Sequence, residues 1–195
     1  MFTTENLTKS FYLFHEKIEQ QKNQLSELDQ AIGDGDHGNN MSRGMTAVIQ
    51  GIEEKQPETV PELFKVAAMN LISKVGGASG PLYGTAMLQM SKASQTTEDA
   101  CQILTEGLAG IKNRGKSSED EKTMIDLWFP AIEKMQQGEL TKEDLVTFVE
   151  RTKDMEAKKG RASYLGERSI GHIDPGAASS QLLFESFMEA GVFDE

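Results

Sequence analysis

The chain has 195 residues, with 31 acidic against 20 basic side chains and a formal net charge of −11, which argues against nucleic acid or an anionic membrane as a general partner. A single cysteine, Cys101, excludes an intrachain disulfide and fits a reducing cytosol, where it serves as a small packed residue on a helix. No apolar run approaches membrane-spanning length, and no basic segment followed by an apolar one opens the chain, so one cytoplasmic domain over residues 1–195 is expected.

From Thr4 onward Leu7, Phe11, Phe14 and Ile18 step by four, three and four, which is one face of a helix. The Gln- and Lys-rich stretch Glu19 to Gln24 breaks that pattern before Leu25 and Leu28 lead to Asp29. A second helix is predicted from about Asn39 to Gln56 on the series Met41, Met45, Val48, Ile49 and Ile52, stopping before Pro57. A third begins near Pro61 and ends at Lys74, and a fourth starts near Pro81 and carries Leu82, Ala86 and Met90. Thr96 or Thr97 caps a fifth, with Cys101, Leu104, Leu108 and Ile111 on one face and Lys112 to Lys116 at its end. A sixth spans roughly Thr123 to Met135, with Gly138 as terminator. Thr141 caps a seventh that reaches Lys159 and Gly160, and an eighth runs from about Pro175 through Leu182, Phe187 and Met188 toward Gly191.

Alternating β-branched runs are missing, and the glycines fall mostly between helices. The expectation is an all-α, single-domain antiparallel bundle of eight helices. If directions alternate, the links after the first, third, fifth and seventh helices open on the same end. These are the Asp-rich loop, Gly76 to Gly80, Asn113 to Lys122 and Gly160 to Asp174.

The Asp-rich loop carries the strongest chemistry. Asp29, Asp34 and Asp36 fall within eight residues, the last two separated by a glycine that lets the backbone fold them toward a common point. Mg²⁺ takes oxygen ligands, and no nearby cysteine or histidine pair argues for zinc. The segment His37-Gly38-Asn39-Asn40 then leads into the second helix, whose free N–H groups and dipole attract an anion. One oligophosphate satisfies both halves, whereas a plain capping turn does not need three carboxylates. An EF-hand fails because the twelfth position counted from Asp34 is Met45.

The other loops admit two readings each. Gly76 to Gly80 suits phosphate approach at the next helix start, with Ser79 and Thr85 adding hydroxyl donors, or an ordinary helix-ending turn. Lys112, Arg114 and Lys116, and likewise Lys158, Lys159 and Arg161, either meet an anion or complement a helix C-terminus. Arg161, following Gly160 into a long loop, is the better ligand because its fork recognises phosphate bidentately. Asp174 before Pro175 is either a helix cap or a nucleotide contact. His37 and His172 are candidate bases, His15 is a surface residue, and Met124 is placed to line a pocket edge while Met135 is core. No Walker-type loop, dinucleotide fingerprint, nucleophile elbow or kinase signature is present.

Gly-Asp-Gly-Asp-His-Gly-Asn-Asn-Met, then Gly-Gly-Ala-Ser-Gly-Pro-Leu-Tyr-Gly-Thr, Lys-Thr-Met-Ile-Asp, and Gly-Arg-Ala-Ser-Tyr-Leu-Gly-Glu-Arg-Ser-Ile-Gly-His-Ile-Asp-Pro-Gly together resemble the nucleotide-binding L subunit of dihydroxyacetone kinase. The resemblance implies an eight-helix barrel holding ADP or ATP with two Mg²⁺ at one end, in which Asp29, Asp34 and Asp36 are the metal ligands and the main catalytic residues. It further implies that His37, Gly38, Asn39 and Asn40 contact phosphates, and that Ala78, Ser79, Gly115, Met124, Arg161, Asp174, Pro175 and Gly176 complete the nucleotide pocket. The family often has Gly-Asp before Lys-Thr-Met, where this chain has Asp120-Glu121.

The length matches a separate subunit rather than a fusion with a dihydroxyacetone-binding domain, and such subunits usually belong to the phosphotransferase-linked enzyme. By that resemblance the nucleotide stays bound as a coenzyme, is rephosphorylated by a phosphohistidine donor subunit, and phosphorylates dihydroxyacetone on a third subunit. Three rival readings are a nucleotide-exchanging ATP-dependent kinase subunit for another substrate, a non-catalytic nucleotide-loaded regulator of a transcription factor, and a Mg²⁺-dependent phosphatase. The last lacks an evident nucleophile.

Overall fold

The computed structural model describes residues 1–194. Regular structure among them is helical, with no strand: α1 (Thr4–Ile32), α2 (His37–Lys55), α3 (Val60–Lys74), α4 (Ser79–Ala93), α5 (Ala100–Gly115), α6 (Ile125–Gln136), α7 (Lys142–Arg151) and α8 (Pro175–Glu189), with 3₁₀ segments at Thr152–Asp154 and Arg161–Ser169. Each helix packs on the next in sequence, and α8 packs back on α1, so the contacts close into a ring around one apolar core.

Several boundaries differ from the sequence expectation, each for an identifiable reason. α1 runs unbroken through Glu19 to Gln24. Gln, Glu and Lys are good helix formers, and Ile18 and Leu25 are seven residues apart, which keeps both on the buried face. Asp29 therefore sits on the last turn of α1, not in the loop. α5 is capped by Asp99, whose side chain accepts from the Gln102 N–H at 2.7 Å, rather than by Thr96 or Thr97. α7 ends at Arg151, well short of Lys159, and much of the long link before α8 is wound into 3₁₀ turns.

The two ends of the ring are built differently. At one end Phe2 plugs the core, with its ring edge-on to Phe64 at 5.2 Å and Phe187 at 5.3 Å. The helices that start at this end carry their own caps: Thr3, Thr59 and Thr141 form capping boxes on α1, α3 and α7, and Asp99 caps α5. At the other end α2, α4 and α6 start with no cap hydrogen bond from their own N-cap side chain. At α6 the Thr123 hydroxyl and carbonyl accept from the Ile125 and Asp126 N–H groups, and at α2 a carboxylate from another helix takes up the slack, so the start of α4 is the one left to an outside partner.

Candidate functional site: a carboxylate cluster facing helix N-termini

The four links after α1, α3, α5 and α7 meet around a cavity of about 490 Å³. Its wall draws on Asp29 to His37, Gly76 to Leu82, Arg114 to Met124, Lys159 to Ala162 and Asp174 to Gly176. Alternating helix directions bring these links together, and by the same alternation the starts of α2, α4, α6 and α8 line the cavity with their positive dipole ends.

Asp29, Asp34 and Asp36 each place a carboxylate oxygen so that these atoms all lie within 4.8 Å of one another. Asp29 has a second task. Its Oδ2 accepts from the backbone N–H of Asp36 at 2.9 Å and of His37 at 3.1 Å, so it caps α2 from the preceding helix. Burial pushes the Asp29 carboxyl upward, opposed by those two donors, while Asp34 and Asp36 add an upward push. Arg161 reaches across from the last link and pairs with Asp34 at 3.2 Å. The turn between Asp34 and Asp36 passes through Gly35 at φ +76°, a conformation that side-chain-bearing residues rarely adopt.

The four residues after Asp36 separate. His37 lines the cavity but is 6% exposed, with Nδ1 3.0 Å from Ser79 Oγ and Nε2 2.9 Å from Ser179 Oγ. Burial lowers its pKa to about 4, against a smaller upward pull from a hydrogen bond to the Pro175 backbone, so the ring is neutral. Gly38 does not line the cavity, because it is pressed against α1: a Cβ there would lie 1.8 Å from the Lys22 carbonyl oxygen. Asn39 is exposed and lies outside the wall, whereas Asn40 is buried within it.

Ala78, Ser79, Gly115, Met124, Arg161, Asp174, Pro175 and Gly176 all line the cavity. Asp174 is the N-cap of α8, accepting from the Ala177 N–H at 2.7 Å, and so combines the two roles left open for it. Burial raises its pKa to about 7, with a further upward push from Asp126 and Asp29, opposed by the Ala177 N–H and Lys122. Thr85 is not in the wall, and the His172 side chain is exposed.

The sequence reading missed Lys122. It is 2% exposed, and its ammonium donates to the carbonyls of Thr152 at 2.7 Å, Met155 at 3.2 Å and His172, tying the links before α6 and α8 together behind the cavity. Burial lowers its pKa, opposed by Asp174, Asp154 and Asp126. Asp126 folds the same link by accepting from the Asp120 and Thr123 N–H groups at 2.6 and 2.8 Å. Asp120 itself sits at φ +63°, the conformation for which the glycine often found there is best suited. The Lys-Thr-Met motif marks the place, but nothing in it says that the lysine points inward.

The DAK2 domain family matches residues 31–189, so Asp34 and Asp36 fall inside the match and Asp29 just before it. The chain is 52% identical over 183 residues to the "PEP-dependent dihydroxyacetone kinase 1, ADP-binding subunit DhaL" of Listeria innocua, covering 92% of each. It is 49% identical over 189 residues to the "PTS-dependent dihydroxyacetone kinase, ADP-binding subunit DhaL" of Lactococcus lactis, covering 97% of this chain and 98% of that one. Among solved structures, the dihydroxyacetone kinase of C. freundii in complex with AMP-PNP and Mg²⁺ superposes with a TM-score of 0.76 at 21% identity, over 94% of this chain and 33% of that one, which shows a common fold. With half of its residues identical to those relatives over nearly its full length, the chain belongs to the DAK2 domain family and groups with the DhaL subunits.

Proposed function

We propose that the chain is the ADP-binding subunit of a phosphoenolpyruvate-dependent dihydroxyacetone kinase, a phosphotransferase, and that the cavity holds ADP or ATP tightly with two Mg²⁺. The observation that carries this reading is the pairing of opposites in one cavity. Three carboxylates converge beside the starts of α2 and α4, neither of which is capped by its own N-cap side chain. A cation alone would leave the N–H groups unfilled, and an anion alone would meet the carboxylates. A metal–oligophosphate complex satisfies both. The names and high identity of the Listeria and Lactococcus relatives support the same assignment.

The donor set fits Mg²⁺, since all three side chains offer hard oxygen atoms. Asp29, Asp34 and Asp36 would hold the metal, which when bound neutralises phosphate charge and steadies the transferred phosphoryl group. The starts of α2 and α4, with Ala78, would receive phosphate oxygens. Asn40, Gly115, Met124, Asp174, Pro175 and Gly176 would shape the rest of the pocket, and Arg161 would leave Asp34 for the nucleotide. Gly38 and Asn39 are assigned support of the α2 start rather than ligand contact.

We read the closed ring as a single-domain eight-helix antiparallel barrel working in the cytoplasm. Its partners in this reading are a dihydroxyacetone-binding kinase subunit and a phosphohistidine phosphoryl-donor subunit, both of which would meet the open end. No described helix is long and apolar enough to cross a membrane. Native mass spectrometry of the protein as purified tests the proposal. A mass excess equal to ADP plus two Mg²⁺ that survives buffer exchange is expected; bare protein that fails to take up ADP with Mg²⁺ would overturn it.

A further inference from the structure

We propose that Arg43 is a positioning residue of the cavity, acting through Asn40: it holds the oxygen of the Asn40 side chain and so turns the amide N–H groups toward the ligand. Arg43 is exposed and lies outside the cavity wall, about one helical turn after Asn40 on α2. Its Nη2 donates to Asn40 Oδ1, and its Nε donates to the Lys74 carbonyl at 2.9 Å. Lys74 is the last residue of α3, so its carbonyl has no partner within that helix. One guanidinium thus ties the start of α2 to the end of α3, just before the link from Gly76 to Gly80.

The orientation of the amide follows from which groups can donate. The outer torsion of an asparagine is soft and close to two-fold, so the side chain itself does not decide which of its heteroatoms faces the cavity. A guanidinium carries N–H donors and no acceptor, so only the amide oxygen can sit against it. Among the described residues no acceptor bonds Nδ2, and Ser26 Oγ is the one buried polar side-chain atom without a partner, so Nδ2 is not sealed in. Asn40 is 6% exposed and part of the cavity wall, which leaves the cavity as the space that Nδ2 opens onto. Gly76, also in the wall, gives the amide its room, since a Cβ there would lie 3.3 Å from both Oδ1 and Nδ2.

The result is a neutral donor held at a fixed angle beside the start of α2. It suits an anionic oxygen of the ligand, whereas the flipped amide would set a lone pair against that oxygen. A lysine in place of Arg43 keeps the charge, but its single nitrogen does not reproduce the flat fork that holds two acceptors at once. The ligand part rests on the nucleotide reading above, whereas the hold of Arg43 on Asn40 does not.

Calorimetric titration with ADP and Mg²⁺ of protein freed of nucleotide by EDTA and then dialysed tests the ligand part, on the parent, Asn40→Ala, Arg43→Ala and the double variant. Each single substitution is expected to weaken binding by about tenfold or more, and the double variant to bind no worse than Asn40→Ala alone. Losses that multiply in the double variant, or parent-like binding by Arg43→Ala, would overturn the proposal. Arg43→Lys is expected to lose affinity as Arg43→Ala does; full affinity would mean that charge alone attracts the nucleotide, and would overturn it too. NMR of the ligand-free protein tests the hold of Arg43 on Asn40. The Asn40 side-chain amide protons are expected to show NOE contacts with the Gly76 α-protons, and Arg43→Ala is expected to abolish them. Contacts unaffected by that substitution would refute the hold. A parent that shows these contacts, loses them in Arg43→Ala and yet fails to bind ADP counts against the nucleotide reading alone.

Discussion

Gly38→Ala is the substitution for which local and tertiary physics give opposite signs. Gly38 lies in the first turn of α2, where alanine is the better helix former by up to about 1 kcal/mol, so a reading from helix propensity expects a stabilised protein. The structure forbids that gain. A methyl group there would lie 1.8 Å from the Lys22 carbonyl oxygen and 2.6 Å from its carbon, and both are backbone atoms inside α1 that cannot rotate away. Relief requires the start of α2 to move off α1 by roughly 1 Å, and overpacking of this kind costs about 1–3 kcal/mol. The same movement stretches the two bonds from the Asp36 and His37 N–H groups to the Asp29 carboxylate, and bonds to a charged partner contribute about 1.5–3 kcal/mol each when intact. Setting the propensity gain against these losses leaves a net destabilisation of about 3 kcal/mol, or roughly 10 °C in melting temperature for a chain of this size. Thermal unfolding followed by circular dichroism, in EDTA so that metal binding does not contribute, measures it directly. An unchanged or higher melting temperature would refute the close packing of α2 on α1.

Asp34→Asn and Asp36→Asn are expected to abolish stabilisation by Mg²⁺–ADP while leaving the melting temperature in EDTA within a few degrees of the parent, since neither carboxylate caps a helix. Asp29→Ala is expected to lower that metal-free value as well, by about 3 kcal/mol, because it removes both bonds to the charged cap; equal metal-free stability of all three variants would contradict the dual role. Lys122→Met leaves the carbonyls of Thr152, Met155 and His172 without their shared donor, and urea unfolding should show a loss of about 3 kcal/mol; a loss under 1 kcal/mol would mean that water replaces the ammonium.

The pH dependence follows from two groups with opposite signs. Asp174 keeps its proton in the folded chain up to about 7 against 3.8 unfolded, so its contribution is full below 3.8 and is lost as pH rises toward 7. His37, at about 4 folded against 6.5 unfolded, contributes fully above 6.5 and loses that contribution as pH falls toward 4. Between those limits the slopes oppose each other. Asp174→Asn keeps a competent cap and removes only the falling contribution, so its stability relative to the parent should rise with pH across the window, by at most about 1.4 kcal/mol per unit. A constant difference would refute the raised carboxyl.

The sequence by itself determined the helices, because the three-to-four-residue recurrence of Leu7, Phe11, Phe14 and Ile18, and its later counterparts, is local information that a helix reads directly. It also determined which links face each other, since alternating helices leave no other arrangement, and it singled out three aspartates whose oxygen atoms do come within 4.8 Å of one another. What each side chain touches was decided only in the tertiary structure. Asp29 as a cap, Gly38 as a packing contact, Lys122 as an inward tie and His37 as a link between Ser79 and Ser179 all depend on groups between seven and 142 residues away in sequence. Periodicity records only that a face is buried. Close packing decides which backbone carbonyl or hydroxyl meets it there, and that follows from how rigid helices approach one another rather than from any single stretch of chain.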